Sequence, residues 1–223
     1  MKALANNRVF AISYRAFAML LAAWGVLDTV GVFRGELNPT TLLAYTIQSN
    51  ILVMVFFAVL LVKTITAKDA KSYGFYPRLA THITLAITVT MLVTWCILMP
   101  TGMWKMGFAF VFGMQNLTVH MFTALLMIGD LLIFQERGRL KKADLVLCAV
   151  IPYLYLLEVM PLGLTHTMHY DALGIDSYYP YLFLDVDRFG WLVLLMIVGL
   201  TLFFIGLMAG WYRVDKKLAK GAQ

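Results

Sequence analysis

Two side chains in this 223-residue sequence, one hydroxyl and one imidazole, form a candidate pair for nucleophilic catalysis, and both lie in long apolar runs. Thr46 offers a hydroxyl and His120 an imidazole. A hydroxyl is a weak nucleophile until a base takes its proton, so the two together make a nucleophile and its base. In that chemistry His120 accepts the Thr46 proton as the oxygen attacks an ester carbonyl, while nearby donors stabilise the oxyanion. Asn50 or Asn116 can be that donor, Ser49 supports the same face, and Asp28 or Glu158 can orient the imidazole. The competing reading is that these groups are hydrogen-bonding glue, since Ser, Thr, Asn and His commonly bridge spanning helices.

The elements that must position them follow from composition. The chain is 61% hydrophobic and 13% charged, with a mean hydropathy of +0.80, too apolar for an ordinary water-soluble domain. A spanning helix needs about 20 apolar residues, because an unpaired backbone amide in hydrocarbon is expensive and a helix pairs its own. Six apolar runs satisfy this, near Ile12 to Phe33, Thr41 to Val62, Thr81 to Met99, Phe112 to Phe134, Leu145 to Leu162 and Phe189 to Trp211. The expected fold is all-α: one domain, residues 1–223, forming a six-helix transmembrane bundle with both termini cytoplasmic. The first run is long and leads into further spans, so it is read as a helix of the mature protein and not as a cleaved signal.

Charge sets the orientation, because Lys and Arg are retained on the cytoplasmic side. Of 18 Lys and Arg, all but Arg34, Lys105 and Arg188 fall in the N-terminal, second, fourth and C-terminal inner segments. Among the inner ones are Arg15, Lys68, Lys71 and Arg78. This asymmetry accounts for the net charge of +6 without a nucleic-acid partner. The expected setting is an integral, multi-pass protein of a bacterial cytoplasmic membrane, with membrane lipids as its surroundings.

Counting about 1.5 Å per residue from the predicted ends puts His82 and Asp130 near the inner surface. Asp28, Thr46, Asn50, Asn116, His120 and Glu158 fall in the outer half. Thr46, Ser49 and Asn50 share one face of the second helix, and Asn116 and His120 one face of the fourth. A polar pocket opening outward between these helices is expected. Above it runs the longest loop, residues 163–188, whose Tyr178, Tyr179, Pro180 and Tyr181 suit an interfacial lid. Its His166, His169 and Asp171 make a weak zinc pattern, so no metal is expected. No cofactor is expected either: His82 and His120 lie at opposite levels, which disfavours a bis-histidine haem, and no lysine sits deep enough for a Schiff base. Cys96 and Cys148 differ in depth by more than the roughly 7 Å a disulfide spans, and read as packing residues.

Three blocks carry a family resemblance. They are Tyr45-Thr46-Ile47-Gln48-Ser49-Asn50, Asn116 to His120 with Asp130, and Tyr179-Pro180-Tyr181-Leu182-Phe183-Leu184-Asp185, with a weaker echo in Pro152 and Tyr155. In these the chain resembles the androgen-induced, FAR-type family of six-helix membrane proteins and its bacterial relatives. Characterised animal members hydrolyse fatty acid esters of hydroxy fatty acids through a threonine and a histidine. By position, the resemblance implies those roles for Thr46 and His120 and a lipidic ester as substrate. Two other classes remain open: a small transporter or lipid-binding receptor with Asp28, His120 and Glu158 as its polar site, and a non-catalytic scaffold.

Overall fold

The computed structural model describes residues 2–67, 72–101, 103–172 and 175–220; Lys68 and Lys71 lie outside them. Six helices among these residues are long and apolar enough to cross a membrane: α1 (Arg8–Val30), α2 (Tyr45–Thr66), α3 (Pro77–Leu98), α4 (Phe108–Ile133), α5 (Asp144–Leu164) and α6 (Leu192–Lys220). The chain is therefore an all-α, multi-pass integral membrane protein.

Local chemistry explains where the helix ends depart from hydropathy. Asn7 caps α1, its side chain accepting from the Phe10 N–H, so the helix starts four residues before the apolar run. It stops at Gly31, whose φ of 91° is the left-handed conformation glycine tolerates best. Pro39 opens a short 3₁₀ turn, Pro39–Leu43, which delays α2 to Tyr45. Pro77 occupies the first turn of α3, where its missing N–H is harmless. The last helix continues past Trp211 to Lys220, beyond the apolar run.

Four helices make the core. Ala18 of α1, Val53, Phe57 and Leu60 of α2, Ile83 and Ile87 of α3, and Ala124 and Met127 of α4 are all buried against one another. The buried stripe Ala11, Ala18, Ala22 and Gly25 on α1 lets neighbouring backbones approach closely. At Gly25 an added methyl would stand 2.7 Å from the Thr118 side chain of α4. The outer pair differs: only 17% of the apolar window is buried in α5 and in α6, against 33–50% in the others. Leu85 and Val89 of α3 pack with Cys148, Phe204 and Met208, joining that pair to the core.

The basic segments meet at one end of the bundle, tied down by three carboxylates. Arg15 is 0% exposed. It donates to Asp130 (2.8 Å), Thr64 (2.5 Å) and the Tyr73 carbonyl (2.8 Å), and lies over the Phe134 ring. Gln135 completes the Asp130 carboxylate at 2.9 Å. Asp144, the first residue of α5, holds Arg78 and His82 at 2.7 and 2.9 Å and accepts from the Lys141 N–H of the preceding turn. Asp215 of α6 accepts from the backbone of Gly138 and Leu140. Arg8 reaches the carbonyls of Thr64 and Ile65 at the end of α2, so both ends of the described chain lie on this face. Arg15, counted with the cytoplasmic charges, is thus a buried clamp between α1, α2 and α4. Its burial is tolerable because every hydrogen bond goes to a fixed acceptor and one of them is ionised.

At the opposite end, β1 (Tyr170–Ala172) and β2 (Ile175–Ser177) pair antiparallel, Tyr170 opposite Ser177. The segment that follows lays Tyr179 and Leu184 on Tyr155 and Val159 of α5. Gly163 makes this possible, because a β-carbon there would enter the Tyr179 ring.

Candidate functional site

Thr46 lies in the first turn of α2, where backbone N–H groups have no partner within the helix and the macrodipole is positive. Ala44 offers no side-chain cap. The phenol of Tyr181 fills that role from the long loop: the Thr46 N–H donates to its oxygen at 3.3 Å, and the Thr46 hydroxyl lies 3.5 Å away. Burial pushes the Tyr181 phenol up from its ordinary value, against the opposing effect of its bonds to Thr46, so it stays protonated and able to donate.

The neighbours of Thr46 hold its backbone still. Ser49 and the Asn50 amide both donate to the Thr46 carbonyl, at 3.0 and 2.8 Å, and Ser49 also bonds Thr90 of α3. The second Asn50 amide hydrogen goes to the Val119 carbonyl of α4 at 2.8 Å. Asn50 is thereby corrected from an oxyanion donor to a bracket between helices, since both its hydrogens are spent. Asn116 donates to the Val111 carbonyl, which leaves one amide hydrogen, and it lines the same cavity as Thr46. It remains the better amide candidate of the two.

His120 lies in an unusual part of α4. From Thr118 to Phe122 the helix widens to i→i+5 bonding: the Thr123 N–H and hydroxyl both return to the Thr118 carbonyl. Helix α3 widens in the same way over Thr94–Leu98, with the Met99 N–H on the Thr94 carbonyl. Such turns are rare and concentrate at functional sites. Here the two are joined, because Thr94 Oγ1 and His120 Nδ1 are 2.8 Å apart.

Thr46 and His120 line one cavity of about 940 Å³, with Asn38, Asn116, His169 and Tyr181 among its other walls. The two are not hydrogen-bonded to each other among the described residues: the Thr46 hydroxyl meets Tyr181 and the His120 ring meets Thr94. Nor do the two acids expected to orient the ring do so. Asp28 pairs with Arg34 at 3.4 Å and Glu158 accepts from Gln48 at 2.7 Å, and among the described residues neither bonds His120, whose ring meets Thr94.

Tyr181 and Thr94 are the side chains that sequence reasoning did not single out here. Tyr181 stood in the loop and in the third block of resemblance, but nothing in its spacing points to Thr46. Thr94 is one of several threonines in α3, and the others bond helix carbonyls, as Thr84 and Thr88 do. In the long loop, His166 pairs with Asp187 at 2.9 Å and His169 with Asp176. Tyr178 stacks on His166. The two histidines thus take separate carboxylates, and no group of three metal-ligating side chains is present among the described residues; the Asp171 side chain lies outside them. Cys96 and Cys148 are both free thiols.

No family model, curated protein or solved structure matches this chain.

Proposed function

We propose that the protein is an intramembrane hydrolase of lipidic esters, with Thr46 as nucleophile and His120 as base, set in a bacterial cytoplasmic membrane with its basic end inside. The supporting observation is the shared cavity: two helices bring a hydroxyl and an imidazole to its wall, and a protonated phenol joins them there. The resemblance in the blocks around Thr46 and His120 agrees with this reading.

The chemistry follows from these contacts. With its proton on Nδ1, donated to Thr94 Oγ1, His120 presents the Nε2 lone pair to the cavity; Thr94 thus fixes tautomer and orientation, as an acid does in a triad, without supplying that acid's charge. Nε2 takes the Thr46 proton as Oγ1 bonds to the ester carbonyl carbon. The oxyanion receives hydrogen bonds from the Tyr181 hydroxyl and the spare Asn116 amide hydrogen, near the positive end of α2. The carbon–oxygen bond to the alcohol then breaks, and that oxygen takes the proton from His120. A water, deprotonated by His120, cleaves the acyl-threonine, releasing the acid and restoring Thr46. The residues from Tyr170 to Leu182 that wall the cavity act as a cover that limits water.

Substituting Thr46→Ala and His120→Ala in the purified protein, followed by ester turnover and fluorophosphonate labelling, tests this. Turnover falls at least 100-fold in each variant if the pair acts as proposed. Unchanged turnover and labelling in both would end the proposal. A lipid-binding or transport role is the second reading, favoured by the width of the cavity and the absence of a direct Thr46–His120 bond. In that case lipid binding persists, without turnover, in the wild-type protein.

A further inference from the structure

Beside the wide cavity lies a second, narrow one. A slot of about 80 Å³ runs between α2, α3, α5 and α6, with Val89, Leu156, Ile197, Leu200 and Phe204 in its walls. Thr46, Leu98 and Tyr181 line both spaces, so the threonine stands where they join. On α3 the walls run from Leu98 to Val89, and on α6 from Ile197 to Phe204, a depth of about 10–13 Å. That is most of the roughly 15 Å of hydrocarbon in one leaflet. The far end is blind, since Val89 and Phe204 are packed there with Leu85, Cys148 and Met208.

Three features point to what the slot takes. Its volume has room for only a few water-sized bodies, which suits one thin apolar chain better than a bulky group. The walls are apolar, yet the hydroxyl oxygens of Tyr45 and Tyr155, both wall residues, are buried without a hydrogen-bond partner among the described residues. Buried hydroxyls are rarely left unpaired, and a ligand bearing oxygen would answer them. Finally, the slot borders α5 and α6, the two helices that bury least of themselves in the protein. There the exposed Tyr153 and Thr201 hydroxyls meet at 3.1 Å across the two helices.

Resting on the hydrolase reading, we propose that this slot seats the acyl chain of the ester that Thr46 attacks. The chain is single and unbranched and enters from the bilayer between α5 and α6. The Tyr45 and Tyr155 hydroxyls serve the alkoxy oxygen of the ester, leaving its carbonyl oxygen to Tyr181 and Asn116, and the alcohol portion occupies the wide cavity.

The full chain in lipid nanodiscs, assayed on p-nitrophenyl butyrate, decanoate and palmitate, tests the proposal. Leu200→Trp narrows the slot and lowers the decanoate-to-butyrate ratio of kcat/KM about tenfold or more, the factor carried by one or two methylenes in an apolar site. Phe204→Ala opens the blind end and raises the palmitate-to-decanoate ratio. An unaltered chain-length profile in both variants overturns the proposal. A second arm needs no turnover: a diazirine-bearing palmitoyl ester is photocrosslinked to Thr46→Ala protein. Adducts then concentrate on the slot-lining peptides of α3, α5 and α6 and diminish with Leu200→Trp. Adducts spread evenly over the lipid-facing helices mean annular lipid only, and reject the slot. Slot labelling together with Thr46-independent turnover rejects the hydrolase reading alone.

Discussion

Thr94 offers the sharpest test of how the site is held. Replacing it with valine keeps the shape of the side chain and removes the hydroxyl that His120 Nδ1 meets at 2.8 Å. Thr94 itself is 2% exposed, so water does not readily take the hydroxyl's place. A buried polar group stripped of its partner costs about 1–3 kcal/mol. If that cost falls on the reactive orientation of the ring, kcat/KM drops roughly 5- to 150-fold. The loss appears in kcat more than in KM, because Thr94 acts through His120 and not on the ester. Thr94→Ser returns the hydroxyl and recovers most of the activity, whereas a purely packing role would be filled better by valine than by serine. The measurement is steady-state ester hydrolysis by both variants, with a melting curve of each to separate folding from catalysis. A Thr94→Val protein with wild-type kcat/KM that still depends on His120 would refute the reasoning.

Other expectations follow from the frame around the site. Asp130→Ala leaves the Arg15 guanidinium buried without its carboxylate and lowers stability by about 3–5 kcal/mol. The double replacement Arg15→Met with Asp130→Leu loses much less, and thermal unfolding in detergent compares the two. Gly163→Val drives a side chain into the Tyr179 ring, an overpacking of about 1–3 kcal/mol. It lifts the loop from α5, which limited proteolysis detects as earlier cleavage between Tyr170 and Arg188. Burial and the Glu158 charge raise Tyr170 from 10.0 to about 12. The folded protein then keeps a proton that the unfolded chain releases, so stability present below pH 10 is lost as pH rises through 12. Tyr170→Phe flattens that part of an alkaline unfolding profile.

Hydrophobic length was enough to read all six spans, since a helix that satisfies its own backbone in lipid leaves little choice. Their ends were less legible. They depend on single capping residues such as Asn7 and Gly31 and on Pro39, and local hydrogen bonds outweigh hydropathy there. The face carrying Thr46, Ser49 and Asn50 was visible from spacing, and so was the level it shares with His120. What each residue touches was not. A threonine at position 94 bonds a histidine only because two helices widen at the same level, and regular helical spacing contains no sign of that. Asp28 and Glu158 failed as partners for His120 for the converse reason: sequence gives their depth, but packing decides which way each side chain points. Arg15 was counted by its charge with the cytoplasmic segments, and the pairing across to α4 explains its burial.

That pairing bears on how the protein is made. Arg15 and Asp130 are 115 positions apart, so α1 is synthesised long before its counter-charge exists. At about 5–20 residues per second, α1 waits roughly 6–23 s for α4 to emerge. During that interval the guanidinium must stay near the headgroups or in the insertion machinery, because the bilayer interior penalises an unpaired arginine. The first helix therefore takes its final depth only when the fourth arrives, and the clamp marks the moment at which those two helices lock together, before α5 and α6 are added.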